Sequence, residues 1–325
     1  MRILITGISG FVARHFVELL SASGNAYTIA GVYHNNLPQF SPDSYPNVDC
    51  QFHRINLMDS TKLGELLRAF KPDQILHLAA NSSVASSWHE PAKTIQENMG
   101  MFLHLIEQVR INAIPARILS VGSAEEYGHV LETDLPLTER NPTNPVSPYG
   151  TSRVMQQKLV EIYSKNYGLD ILHTRSFNHI GPYQTDKFVI SSFVRQVALQ
   201  LQQNAGPIRL TVGDVEVTRD FSDVRDVVKA YHGLLMNGTK GETYNVCSGQ
   251  GYVLKDIIGT LSQITGTEVT YHSDAKNFRP AENKKVIGSY AKINHEIGWK
   301  PVIGMEQSLT DLLHYWETML SLQAI

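Results

Sequence analysis

The chain predicts an α/β fold: a doubly wound parallel sheet with a smaller lobe built mostly from its C-terminal half. Three observations carry this. Short apolar runs alternate with longer amphipathic segments through the first half, as in parallel strands covered on both faces by helices. A glycine-rich turn, TGISGFVA (6–13), stands between the first apolar run and the first amphipathic segment. After Gly181 the alternation loosens, but no repeat or low-complexity linker intervenes, so the second half reads as a lobe wrapped onto the sheet.

In order, ILIT (3–6) is the first strand and Phe11 to about Leu20 the first helix. TIAGVY (28–33) and FHRIN (52–56) follow as strands, and Leu63, Leu66, Leu67 and Phe70 share one face of a helix. Next come a strand in QILHLAA (74–80), a helix around 92–110 and a strand in ARILSVGS (116–123). After SPYG (147–150) a long helix runs to about Tyr167, followed by the strand DILHTRSFN (170–178). A helix near 189–203 precedes LTVG (210–213), the segment RDFSDVRDVVKAYHGLL (219–235) and YNVCSG (244–249). A helix near 254–265, the polar stretch SDAKNFRPAENKK (273–285) and a helix near 305–320 close the chain. The whole is a Rossmann-type sheet over 1–177, with returning segments near 219–246, and a lobe drawn mainly from 178–325.

With 325 residues, 42% of them hydrophobic, the chain can bury a substantial core. A formal net charge of −3 gives no reason to expect a nucleic acid or an anionic membrane as partner. Cys50 and Cys247 form neither a CxxC pair nor a zinc-ligand spacing, so no metal site is expected. Both read as small apolar residues in a reducing compartment. MRILITGISG lacks the parts of a signal peptide, and no run approaches the roughly 18 apolar residues of a membrane span. The expectation is a cytoplasmic protein.

In TGISGFVA, Gly7 and Gly10 with the small Ala13 allow a tight turn that brings backbone amides up to a pyrophosphate, aided by the helix N-terminus. The second strand ends in GVYHNN, without the carboxylate that bonds a ribose 2′-hydroxyl in NAD sites. NADP(H) is therefore favoured and NAD(H) is the alternative; Arg54 is the candidate substitute for the missing arginine.

SPYGTSR (147–153) places Tyr149 and Arg153 four residues apart on one helix face. A phenol with an ordinary pKa near 10 is a poor proton shuttle at neutral pH, and a neighbouring cation favours its phenolate. Arginine keeps the charge of the lysine usual in this arrangement but not its compactness, which leaves the geometry open.

TGxxGFVA, HLAA (77–80), VGSAEEYG (121–128), SPYGTSR and RSFNHIGP (175–182), then RDFSDVRDV (219–227), YNVCSG, FRPAE (278–282) and GWKP (298–301), occur in one order over nearly the whole chain. In that order they resemble the extended short-chain dehydrogenase/reductase family, and within it the GDP-sugar branch. The resemblance implies that Ser123 hydrogen-bonds the substrate oxygen and Tyr149 donates a proton to it. Arg153 would hold the nicotinamide ribose and tune the tyrosine. Cofactor contacts are expected from Gly7, Gly10, Phe11, Val12, His34, Asn56, Leu57, Leu78, Ala79 and Ala80, besides Tyr149 and Arg153. Glu125 has the spacing from Ser123 of the base in the branch's dehydratases. Ala124 departs from their polar residue, and Glu126 replaces a usually apolar neighbour, with a solvated surface position equally open to it. Asn178 would meet the sugar-nucleotide diphosphate, Arg219 and Arg279 its phosphates and ribose, and Glu282 ribose hydroxyls; His179 reads as structural.

The activity so implied is NAD(P)H-dependent reduction of the C4 ketone of a GDP-4-keto-6-deoxy sugar. A GDP-mannose 4,6-dehydratase and a non-catalytic dinucleotide-binding protein are the alternatives. Relatives of this kind dimerise through two helices, here near 92–110 and 149–167, so a homodimer is expected.

Overall fold

The computed structural model describes residues 1–203, 206–274, 276 and 283–323. The chain opens with β1 (Arg2–Thr6), α1 (Phe11–Ala22), β2 (Tyr27–Tyr33), β3 (Val48–Arg54), α2 (Ser60–Phe70) and β4 (Gln74–His77). Then follow α3 (Val84–His89), α4 (Pro91–Ile111), β5 (Arg117–Val121), α5 (Pro148–Asn166), β6 (Ile171–Ser176) and β7 (Asn178–Ile180). Next are α6 (Val189–Gln202), β8 (Ile208–Val212), β9 (Thr218–Asp223), α7 (Val224–Asn237), β10 (Thr243–Val246) and β11 (Gly251–Val253). The remainder is α8 (Leu254–Thr265), β12 (Val269–Ser273), β13 (Lys285–Val286), α9 (Ala291–Ile297) and α10 (Met305–Gln323).

Seven strands form one parallel sheet in the order β10-β6-β5-β4-β1-β2-β3. Both faces are covered, so the strands are apolar on both sides and alternate residues enter different cores. Ile3 and Ile5 of β1 pack with Phe16 of α1 and Val227, Tyr231 and Leu234 of α7. Leu4, between them, packs with Leu63 of α2, Phe102 and Ile106 of α4 and Val160 of α5. Each such side chain, fully withdrawn from water, contributes about 1.5–3 kcal/mol before the entropy of ordering it is counted. The segment RDFSDVRDVVKAYHGLL divides between the two parts of the molecule. Its first residues are β9, the centre of a small sheet paired with β7, β11 and β13. Asp223 then ends β9 and caps α7, which returns to the main sheet.

The lobe has its own core, in which α6, α8 and α10 pack around Phe193, Val194, Leu261, Leu309 and Leu312. A parallel pair, β8 with β12, completes it. Strands β1 to β6 and helices α1, α2, α4, α5, α6, α8 and α10 lie where the sequence placed them, with shifted ends, whereas α7 and β10 fall in segments to which it gave no type. QILHLAA is strand only to His77, because the chain then turns towards the glycine loop. Cys50 and Cys247 are buried and unpaired. No helix of the described residues is long and apolar enough to cross a membrane.

Candidate active site

Strand order reverses beside β1: the chain runs outward through β2 and β3, then crosses to β4 on the other side. At such a switch point the loops at the carboxyl ends of the strands diverge and leave a crevice. The glycine turn lies there. Gly7 has φ +75°, and a Cβ on it would stand 2.9 Å from the Ala79 nitrogen, so the β1 and β4 loops touch only because this residue lacks a side chain. The Gly7 and Ile8 amides donate to the Val32 carbonyl at 2.9 and 3.1 Å, tying the turn to β2. Gly10 caps α1 without any side-chain bond, and the first-turn amides at Phe11 and Val12 have no intrahelical acceptors by geometry. That is a cradle for a phosphate.

His34 follows β2 and is exposed; its carbonyl accepts from Arg54 Nε at 3.3 Å. Asn56 is exposed beyond β3, and its neighbour Leu57 is buried. Leu78, Ala79 and Ala80 leave β4 half-buried, the Leu78 amide still bonded to the Thr6 carbonyl at 3.2 Å. All the cofactor candidates therefore lie on one edge of the sheet, from β3 to β5. A dinucleotide fits that edge: a glycine turn, an open helix N-terminus and, further along, a buried guanidinium nitrogen without a protein partner.

That nitrogen belongs to Arg153. Ser147 caps α5 by accepting from the Gly150 amide at 3.0 Å, and Pro148 occupies the first turn, where no amide is needed. Tyr149 and Arg153 follow on one face, both buried. The Arg153 guanidinium lies 5.1 Å from the centre of the Tyr149 ring, and its Nη1 donates to the Val121 carbonyl at 3.2 Å and to Gln156 Oε1 at 2.6 Å. Its Nε is buried with no hydrogen-bond partner. Burial, and after it the charge of Arg153, push the His77 imidazole down to about 3, so His77 is neutral and meets Thr6 Oγ1 at 2.9 Å.

Ser123 leaves β5 and caps a 3-10 turn, Ala124–Glu126. Its hydroxyl accepts from the Glu125 amide at 3.2 Å, which leaves its own proton to be donated outward. The turn packs directly on α5: a Cβ at Gly150 would stand 2.6 Å from the Glu125 carbonyl oxygen. Ser123, Glu125, Tyr149 and Arg153 are thus brought into one neighbourhood by β5 and the start of α5. Glu125 is half-buried. Glu126 is not at the surface: it is fully buried, with its Oε1 accepting from the Ser123 amide at 2.8 Å and lying 3.1 Å from His173 Nε2.

On the lobe side, Asn178 is exposed on β7 and donates to the Asp220 carbonyl at 3.3 Å. Arg219 is half-buried on β9. Arg279 and Glu282 lie outside the described residues. His179 stacks on Phe11 with ring centres 5.6 Å apart, which joins the β6–β7 segment to the start of α1. Sequence reasoning missed Asp220. Its buried carboxylate accepts from the Ser248 amide and hydroxyl at 2.7 and 2.6 Å, from Gly249 at 3.0 Å and from Gly288 at 3.2 Å, pinning two loops against β9. No local signal marked it, because β9 reads TRDFSD and a second aspartate follows three residues later. Among the described residues no cluster of side chains could hold a metal ion.

A family model described as GDP-mannose 4,6 dehydratase matches residues 4–312. A GDP-6-deoxy-D-mannose reductase of Pseudomonas aeruginosa is 35% identical, over 98% of this chain and 97% of its own length. A dTDP-glucose 4,6-dehydratase of Xanthomonas campestris is 30% identical, over 97% and 93%. Among solved structures, RMD from Pseudomonas aeruginosa complexed with NADPH superposes with a TM-score of 0.85 at 35% identity, over 98% of this chain and 99% of that one. The Thermotoga maritima UDP-glucose 4-epimerase with UDP-glucose gives 0.84 at 25%, over 98% and 100%. A match this long, in a chain whose glycine turn, Ser123 and Tyr149 share one edge of a parallel sheet, shows that the chain belongs to the GDP-mannose 4,6-dehydratase family of extended short-chain dehydrogenases/reductases.

Proposed function

We propose that this enzyme is a nucleotide-sugar 4-ketoreductase that reduces the C4 ketone of a GDP-4-keto-6-deoxy sugar to the alcohol, with NADPH as donor. The observation that carries the reading is the buried Tyr149–Arg153 pair, fastened to the end of β5 beside the Ser123 turn. The relatives named a reductase and solved with NADPH supply the substrate class and the cofactor.

NADPH, when bound in this crevice, would supply the hydride for C4. As the carbonyl oxygen gains charge, Ser123 donates its uncommitted hydroxyl proton as a hydrogen bond and Tyr149 transfers its phenolic proton to the oxygen. Arg153 keeps positive charge against the ring of Tyr149, and its unpartnered Nε is available to a ribose hydroxyl. Gly7, Gly10 and the amides at Phe11 and Val12 take the pyrophosphate; His34, Asn56 and Leu57 border the adenosine end, and Leu78 to Ala80 the middle. Asn178, Arg219, Arg279 and Glu282 are assigned to the GDP end. The boundary between the two functional parts falls near residue 177, with α7 and β10 returning to the main sheet.

Exposed Met155 and Ile162 on α5 support a homodimer through α4 and α5. Buried free thiols suit a reducing, cytoplasmic setting. The half-buried Glu125 on the Ser123 turn favours one second reading, a 4,6-dehydratase with Glu125 as base.

The test is incubation of the purified protein with GDP-4-keto-6-deoxymannose while NADPH and, separately, NADH absorbance are followed. Cofactor loss matched by a GDP-deoxyhexose supports the reductase. No consumption, with GDP-mannose turned into a 4-keto product without net cofactor change, replaces it with the dehydratase.

A further inference from the structure

Beneath the Tyr149–Arg153 pair lies a polar chain that the chemistry above does not use. Arg153 Nη1 reaches Gln156 Oε1 at 2.6 Å, and Gln156 Nε2 reaches Ser120 Oγ at 2.7 Å. Ser120 Oγ is 2.9 Å from His173 Nδ1, and His173 Nε2 is 3.1 Å from Glu126 Oε1, which also accepts the Ser123 amide at 2.8 Å. Gln156, Ser120, His173 and Glu126 are fully buried. Space has been kept for them: a Cβ at Gly122 would fall 2.2 Å from Glu126 Oε1 and 2.3 Å from His173 Nε2.

Hydrogen-bond chemistry fixes the direction of this chain. A guanidinium only donates, so the Gln156 oxygen must face Arg153 and its amide group must face Ser120. Ser120 accepts there and gives its own proton to His173 Nδ1. His173 then carries its proton on Nε2 and donates it to Glu126, whose second oxygen lies 3.5 Å from Arg175 Nε. Every member is satisfied in this one arrangement, and a buried network satisfied in only one way holds its ends in one place. Those ends are Arg153, on α5, and the backbone of Ser123, after β5.

We propose that Glu126, His173 and Gln156 are positioning residues that lock Arg153 and Ser123 into one rigid unit; the catalytic part of this rests on the reductase reading above. Glu126→Gln tests it. A carboxamide can keep its oxygen on the Ser123 amide, but its amide group then replaces the second oxygen, 3.3 Å from His173 Nε2 and 3.5 Å from Arg175 Nε, so donor faces donor unless the ring gives up its Nε2 proton. The imidazole proton is driven to Nδ1, and either the Ser120 proton loses its acceptor or Gln156 turns over and meets Arg153 donor to donor.

The first readout is the nitrogen NMR signature of His173. The wild-type ring should be protonated at Nε2 and bare at Nδ1, and in Glu126→Gln the proton should move to Nδ1. The second is NADPH affinity by fluorescence, together with turnover. Each should be weakened by at least about tenfold, the scale of losing a hydrogen bond to a charged group, while the KM for the sugar moves less. Gln156→Met, which removes the two central bonds at similar volume, should weaken cofactor binding equally, and it decides the matter should Glu126→Gln not fold. A wild-type His173 protonated at Nδ1, or variants with native NADPH affinity and turnover, would overturn the proposal. The NMR and NADPH measurements need no sugar: their success without ketone reduction sinks the reductase reading alone, and their failure in an active enzyme sinks the positioning role alone.

Discussion

At the residue scale, the adjacent glutamates 125 and 126 mark where sequence reasoning stopped. Spacing from Ser123 singled out Glu125 as a candidate, whereas Glu126 could be read as a solvated surface charge. The structure buries Glu126 completely, because His173 and Arg175, both from β6, reach the same point on the far side of Gly122. Nothing local in the sequence announces a contact across 47 residues. Tyr149 and Arg153 were legible because helix spacing alone puts them on one face. Their burial and the anchoring of Arg153 to the Val121 carbonyl depend on how α5 packs against β5. Tyr149→Phe removes the proposed proton donor without changing the ring. It should lower kcat by about 10²–10⁴-fold while leaving NADPH affinity within about twofold, as steady-state turnover and fluorescence titration would measure.

At the scale of elements, strands β1 to β6 and most long helices were legible because both their period and their boundaries are written locally. Asp59 and Ser147 cap the helices they precede, and Pro91 and Pro148 open theirs. The short strands β7, β11 and β13 were not, since two or three residues carry no period and owe their conformation to pairing with β9 or, for β7, with Phe221 and its neighbours there. The junction of β9 and α7 yields a prediction. Burial pushes the Asp223 carboxyl up, but the Arg225 side chain and amide and the Ser308 hydroxyl outweigh it and hold its pKa below the ordinary value. A carboxylate depressed in the folded state contributes stability above its unfolded pKa and loses it as pH falls through the folded one. Asp223→Asn should therefore be less stable than wild type by about 1–3 kcal/mol near pH 7, and the gap should close below about pH 4. Urea unfolding across that range measures it; a gap that persisted unchanged into acid would contradict this account of the junction.

At the scale of the whole molecule, the crevice arises from topology: β1 sends the chain to one side and β4 takes it up on the other, and Gly7, His34, Asn56 and Leu78 to Ala80 each follow a strand at that edge. The sequence carried this in the order of its strands and one glycine turn, because connection rules leave few alternatives. Further out, β2 ends without a carboxylate, and exposed Arg54 bonds the His34 carbonyl. If Arg54 meets the 2′-phosphate, Arg54→Ala should raise the KM for NADPH by about tenfold and leave the KM for NADH nearly unchanged. Initial rates with both cofactors compare the two.

In the proposed reduction, hydride passes from an exchangeable cofactor to C4 of the sugar. The direct measurement uses NADPH deuterated at nicotinamide C4 with GDP-4-keto-6-deoxymannose, and locates the label by NMR of the product. The account predicts deuterium on C4 of the GDP-deoxyhexose, one equivalent for each NADPH oxidised. A product without label, or a label kept by the cofactor while GDP-mannose supplied instead loses water to give the 4-keto sugar, would contradict it.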